Sequence, residues 1–210
     1  MEDEVEARFR ADGGAPLARL AVRPTLGRAT LGAARTVLEE DRYLDTEDGR
    51  LRALRWACRL RSREGTTRIS LKGPPATPAT GWLHRRPEVE GPASPRVDPE
   101  AWPESPARAL LLELSGGAPL VEWLRLLQER TERPVSIDGR PVGGLTLDTV
   151  SAERGGQALG EMYLVELELR PDADPERDLP ALARALAAEP GLRAEPRTKL
   201  EIALELGATA

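Results

Sequence analysis

Strand-like alternation recurs along this chain, and wherever it recurs one face carries charge and almost nothing else. Glu4, Glu6, Arg8 and Arg10 alternate with Val5, Ala7 and Phe9. Arg59, Arg61 and Arg63 are followed, across Glu64-Gly65, by Arg68, Ser70 and Lys72. Arg86, Glu88 and Glu90 come next, then Thr146 with Asp148, then Glu166 with Glu168. A period of two puts these side chains on one face of a pleated strand and the aliphatic ones on the other. An antiparallel sheet with one solvated face gives such alternation, and cross-strand Glu–Arg pairs on it are modestly stabilising. Two features go further. The wet positions hold few Thr, Gln or Asn, and the signs are segregated: residues 59–72 are basic, whereas residues 4–6 and 166–168 are acidic. A closed barrel turns such a face inward around a charged lumen. The expected class is α+β, a closed antiparallel β-barrel whose outward apolar faces are covered by flanking helices such as 174–188.

The punctuation supports this layout. Strands are expected over 4–10, 36–43, 56–63, 67–72, 83–90, 124–137, 145–150 and 161–170, with Glu64-Gly65, Asp138-Gly139 and Gly155-Gly156 as turns. Helices are expected over 16–22, 106–114, 174–188 and 198–206, with a helix capped by Thr46 reaching about Leu54 and a short one near Pro119. Residues 73–81 read as a loop and 91–106 as a proline-rich segment wrapping the surface. No internal repeat or linker stands out, so residues 1–210 are expected to form a single domain with a proline-rich surface segment at about 73–106.

Composition removes several chemistries. The net charge of −5 argues against broad binding of nucleic acid or an anionic membrane. Residues 1–4, Met-Glu-Asp-Glu, lack the basic and apolar regions of a signal peptide, and no apolar run spans a bilayer; the expected location is cytoplasmic. One cysteine, Cys58, and one histidine, His84, leave no internal disulfide, no His- or Cys-cluster zinc site and no serine triad. Cys58 reads as a small apolar residue on an outer strand face. His84 reads as a surface loop residue, and Trp82, Trp102 and Trp123 as packing anchors around the proline-rich segment. A metal bound here is a hard cation on carboxylate oxygens. Basic residues on one wall and carboxylates on another suit a polyphosphate with a bridging divalent cation.

The same residues resemble the CYTH family, the triphosphate tunnel metalloenzymes. Glu4-Val5-Glu6-Ala7-Arg8 is similar to its E-x-E-x-K signature, and Tyr43-Leu44-Asp45-Thr46 followed by Leu51 to its Y-x-D-T element. Arg59-Leu60-Arg61 with Leu71-Lys72-Gly73 resembles its basic hairpin, and Arg86-Pro87-Glu88-Val89-Glu90 its R-x-E-x-E strand. Asp148 and Val165-Glu166-Leu167-Glu168 resemble its closing acidic strands, and Thr198-Lys199 with Glu201 the C-terminal helix that plugs the tunnel. The resemblance covers nearly the whole chain, with the matches in the family's order. It implies catalytic roles for Glu6, Arg8 and Lys199. It implies phosphate binding by Arg59, Arg61, Lys72, Arg86 and Arg130, with Glu132 or Arg133 able to share the wall of Arg130. Metal binding falls to Glu4, Glu6, Asp148, Glu166 and Glu168, with Mg2+ or Mn2+ as the ion.

Two positions depart from the family pattern. Arg8 stands where the signature has lysine, and arginine cannot accept a proton. Gln128 stands where many members carry a basic residue. Both weaken fast chemistry more than binding. The expected activity is metal-dependent hydrolysis of a triphosphate, inorganic triphosphate above all. The alternative is a non-catalytic or weakly catalytic polyphosphate-binding module, of the kind that the family joins to a helical CHAD domain. A thiamine or nucleoside triphosphate would need a recognition pocket at the mouth, and aromatics make up only 3% of the chain; an adenylate-cyclase role is disfavoured for that reason. Expected partners are a triphosphate or polyphosphate, without nucleic acid or membrane; the sequence allows a homodimer. A plain β domain with a decorated face is the remaining reading, and triphosphate with metal would not raise its melting temperature.

Overall fold

A computed structural model of the protein describes residues 2–75 and 81–208. The elements, in chain order, are β1 Glu2–Ala11, α1 Gly14–Val22, β2 Thr25–Leu26, β3 Ala29–Leu31, β4 Arg35–Thr46, α2 Arg50–Ala53, β5 Ala57–Arg63, β6 Thr66–Lys72 and β7 Leu83–Pro92. A 3-10 turn at Pro99–Ala101 precedes α3 Pro106–Ser115, β8 Leu120–Ile137, β9 Arg140–Arg154, β10 Gln157–Leu169, α4 Pro175–Ala187, β11 Leu192–Ala194 and α5 Lys199–Ala208. The loop expected over 73–81 lies partly outside the described residues.

Strands β4, β5, β6, β7, β1, β10, β9 and β8 pair antiparallel in that order, and β8 pairs with both β4 and β9, which closes the barrel. Closure removes the free edges that an open sheet would present. The barrel hairpins at Glu64-Gly65, Asp138-Gly139 and Gly155-Gly156 each turn on two residues, all at positive φ. That backbone matches the right-handed twist of the strands it joins.

The outward faces are apolar and covered. Val5, Ala7, Phe9, Val165 and Leu167 pack with Leu17 and Leu20 of α1 and Leu179, Leu182 and Leu186 of α4. Cys58, Leu60, Ile69 and Leu71 pack under Leu51 of α2 and Leu111 of α3. Cys58 is buried there, and burial pushes its thiol well above the usual range. Ser105 caps α3 by accepting from Arg108 N, with Pro106 in the first turn and Gly116 left-handed at the end. The proline-rich segment does wrap this side: Trp102 is buried and donates from Nε1 to Arg96 O, and Arg108 donates to Pro99 O and Glu100 O. The other two indoles pack elsewhere, Trp82 against the α1–α4 cluster and Trp123 edge-on to Tyr43.

Several expectations are corrected. The strand expected to end at Tyr43 runs to Thr46. The helix after it is a single turn, because the Asp45 carboxylate gathers the backbone N–H groups of Thr46, Leu51 and Arg52. Thr46 Oγ1 does accept from Arg50 N, so the cap exists on a shorter helix. No helix forms at Pro119, where β8 begins one residue later. Strands β2, β3 and β11 are too short for periodicity to reveal. None of the described helices is long and apolar enough to cross a membrane.

Inside the barrel the lumen is divided. Leu124 and Leu126 share the inward face of β8 with Gln128 and Arg130, and Val150 and Ala152 share that of β9 with Asp148. With Tyr43, Met162 and Leu164 they make one end of the lumen apolar, and Ile202 and Ala203 of α5 seat against them. Charge occupies the remainder.

Candidate active site

The charged part of the lumen encloses a cavity of about 240 Å³ lined by Arg8, Arg59, Arg61, Lys72, Arg86, Arg130 and Lys199 on one hand and Glu4, Glu6, Glu88, Glu90, Glu166 and Glu168 on the other. Every residue expected in the site is therefore on the lumen wall or, for Asp148, directly behind it. Strand alternation places all of them there except Lys199, which the first turn of α5 carries in.

Most of these charges are spoken for. Arg130 grips Asp148 with Nε and Nη2, both at 2.8 Å, and reaches Glu166 at 3.3 Å. Lys199 Nζ lies 2.6 Å from Asp148, 2.9 Å from Glu166 and 3.1 Å from Gln128 Oε1. Burial alone would raise Asp148 and Glu166, yet the Arg130 and Lys199 charges, joined at Glu166 by Arg8, hold both below the usual carboxylate range. Lys72 bonds Glu4 at 2.6 Å, and Arg86 bonds it at 3.1 Å. Against the cost of burial these two cations hold Glu4 well below the usual range, while burial lowers Lys72. Arg61 forks onto Asp41 at 2.6 and 2.7 Å, and Arg63 onto Glu132. Glu132 thus does share the wall of Arg130. Arg133 points outward instead, onto backbone carbonyls of residues 20–32.

Two groups stand apart. Arg59 has a guanidinium whose nearest carboxylates lie at 3.5 Å (Asp41), 3.7 Å (Glu88) and 4.0 Å (Glu90), and its buried Nε meets no hydrogen-bond acceptor. A buried donor without a partner costs free energy that an anionic oxygen would recover. Glu168 faces Glu6 across β1 and β10. Partial loss of water at the wall, reinforced by Glu4, raises its carboxyl. Glu6 is pushed up to about 7 by burial, with Glu166 and Glu4 adding to it and Arg8 opposing. These hard oxygen donors, held above the usual range, are of the kind a divalent cation takes. Asp148 and Glu166 are instead engaged with cations, and among the described residues no three carboxylates converge closely enough to hold a metal ion.

Sequence reasoning passed over Glu39 and Asp41, and it noted Gln128 only as a lost cation. Gln128 donates to Asp41 at 2.7 Å and accepts from Lys199, so the residue that replaces a cation joins the two walls. The alternation Glu39–Asp41–Tyr43 was a usable signal.

His84 is a correction. It lies in β7, not in a loop, opposite Glu6, and is buried. Its Nε2 is 2.7 Å from Glu195 O; a carbonyl only accepts, so Nε2 carries the proton. Burial, with Arg8 close by, pushes its pKa down to about 4. The unfolded chain then binds more protons than the folded one between about pH 6.5 and 4, so stability falls as the pH drops through that window. The expected contribution is up to about 3 kcal/mol. Glu6 titrates in an overlapping window with the opposite sense. The difference in urea unfolding between the wild type and His84→Phe isolates the histidine; a difference that does not change from pH 7 to pH 4 would refute its burial as a neutral ring. The chain has a single imidazole, so its NMR titration reads the same shift directly.

At the mouth beside α5, a second cavity of about 430 Å³ shares Ala57, Lys72, Arg86, Thr198 and Leu200 with the first. Trp56, Trp123, Arg52 and Arg55 line it, with the Arg52 guanidinium 4.4 Å above the Trp123 ring.

Comparison with solved structures finds the same architecture. The candidate adenylyl cyclase HpAC1 from Hippeastrum, described as revealing a dominant triphosphatase activity, aligns with a TM-score of 0.69 and 20% identity over 96% of this chain and 95% of its own. A candidate adenylate cyclase from Bacillus halodurans aligns at 0.62 and 21% identity, over 96% and 98%. The PH1819 protein of Pyrococcus horikoshii OT3 aligns at 0.53 and 18% identity, over 95% and 98%. At these identities the likeness is one of fold. No curated protein sequence matches at a significant level. The CYTH domain model matches residues 2–201. With that match over nearly its whole length, the chain belongs to the CYTH domain family.

Proposed function

We propose that the protein hydrolyses a triphosphate, inorganic triphosphate first among them, with a divalent cation, Mg2+ or Mn2+, as partner. The observation that carries this reading is Arg59: a partly buried guanidinium whose buried Nε has no partner, in a lumen that also presents Arg61, Lys72, Arg86 and Arg130. Arginine forks fit phosphate oxygens in a plane, and a phosphate can displace the long contacts of Arg59 without stranding a carboxylate. Arg130 and Lys199, already fixed by Asp148 and Glu166, would meet the charge that develops on the transferring phosphoryl group without rearranging. Glu6 and Glu168, opposite one another on β1 and β10, are the carboxylates that would hold the cation. Bound there, it would neutralise charge on the phosphates. The triphosphatase activity described for HpAC1 agrees with this reading.

A second reading, a polyphosphate-binding module, is favoured by Arg8, each of whose three guanidinium nitrogens already has a protein acceptor, and by Arg52, Arg55 and Arg86 at the outer cavity, where a longer chain could continue. Phosphate release from inorganic triphosphate, measured with and without Mg2+ or Mn2+, decides between them. Metal-dependent release that falls at least tenfold in Glu168→Ala is the expected result. Tight binding of triphosphate with no release in any metal would leave the binding module and end the enzymatic reading.

A further inference from the structure

We propose that Arg8 is a positioning residue that latches the segment ahead of α5 to the barrel and so holds Lys199 in the lumen, a role that rests on the phosphate-binding reading of the site. The Arg8 side chain is 2% exposed, and each of its nitrogens has a different task. Nε donates to Glu166 Oε1 at 2.7 Å, Nη2 donates to Glu6, and Nη1 donates to the main-chain oxygen of Arg197 at 2.8 Å. The Arg8 backbone adds a fourth tie, its oxygen accepting from Glu195 N at 3.0 Å. Strand β11 pairs with β1 alongside, Ala194 opposite Phe9, and His84 holds Glu195 O. Residues 194–197 are thus fastened to β1 and β7 at several points, and Arg8 supplies two of them.

The next residues in the chain enter the site. Thr198 and Glu201 form a reciprocal cap, Thr198 N donating to Glu201 at 2.7 Å and Glu201 N to Thr198 Oγ1 at 3.2 Å. Lys199 between them reaches Glu166 Oε2, the oxygen that Arg8 leaves free. Arg8 therefore fixes both the backbone that carries Lys199 and the carboxylate that receives it. A lysine at position 8 offers one ammonium in place of a planar fork, and could not serve Glu6, Glu166 and Arg197 O together.

The test is a double-mutant cycle on triphosphate binding by calorimetry, with Arg8→Lys, Lys199→Met and the double variant, beside amide hydrogen exchange over residues 195–203. Arg8→Lys is expected to weaken binding about tenfold, the size of one lost hydrogen bond to a charged group, and to speed exchange over those amides. In the Lys199→Met background the same change is expected to cost nothing further. Additive losses with unchanged exchange would overturn the latch and make Arg8 a direct phosphate contact. If the wild type binds no triphosphate, the functional reading fails, but exchange still decides the latch. Should Arg8→Lys fold poorly, His84→Phe removes the neighbouring tie to Glu195 O. It is expected to speed exchange over the same amides, and unchanged exchange there would also overturn the proposal.

Discussion

Asp148→Asn is expected to lower the unfolding free energy by about 3–5 kcal/mol, because it strands two buried cations at once. Asp148 is fully buried and takes both nitrogens of the Arg130 fork and the Lys199 ammonium. Asparagine keeps the shape but removes the charge. It also turns an amide donor towards groups that can only donate. Arg130 and Lys199 are then left chiefly to Glu166, at 3.3 and 2.9 Å. For a chain of this length the loss corresponds to a fall in Tm of roughly 10 °C. A second result separates a site from mere packing. Inorganic triphosphate returns negative charge to the stranded cations, so it should raise the Tm of the variant more than that of the wild type. A variant melting within a degree of the wild type, or one that triphosphate does not rescue preferentially, would contradict this account of the lumen.

Arg133→Met is expected to be about as costly, roughly 3–5 kcal/mol, for a reason unrelated to the site. The Arg133 guanidinium is held by main-chain oxygens. It donates to Gly32 O from Nε at 2.9 Å and from Nη2 at 2.7 Å, to Leu20 O at 2.8 Å, to Arg23 O at 2.5 Å and to Leu31 O at 3.0 Å. One side chain thus satisfies carbonyls at the end of α1, in the loop beyond it and beside β3. Carbonyls in the last turn of a helix have no partners within it and carry partial negative charge, which a cation suits. Methionine fills the space and leaves all four oxygens without this donor. Lysine has three donors against five and should recover only part of the loss. Chemical denaturation measures the cost. Triphosphate affinity of the folded variant should stay within about twofold of the wild type, since Arg133 faces away from the lumen; a larger loss would place it in the site after all.

The sequence was most legible where two independent signals agreed. Residues 57–72 carry period-two alternation on both sides of a turn that only left-handed residues make tightly, and both the strands and the inward face were recoverable. The β4 strand was legible too, but its inward set Glu39, Asp41 and Tyr43 emerges only when its polar face is followed through. His84 was misplaced although it fell inside the strand expected over 83–90, because a single histidine among charged residues resembles a surface group. The division of the lumen was illegible in principle. Leu124, Leu126, Val150 and Leu164 obey the same alternation as the charged residues beside them, and a period of two cannot say whether an aliphatic face looks out to a covering helix or in to α5. The same blindness hid Arg133, whose charge suggests a lumen position while its register points it away.

That divided lumen also fixes an order of events during synthesis. The barrel wall is complete once β10 has been made, but its apolar end is sealed only by Ile202 and Ala203, some thirty residues later in the chain. Until those residues leave the ribosome, the nascent protein presents an open greasy socket and lacks the Lys199 ammonium. A chain broken off anywhere in that interval is expected to leave that apolar end uncovered. It carries, in the exposed Leu124, Leu126 and Leu164, the kind of surface that chaperones and proteases recognise.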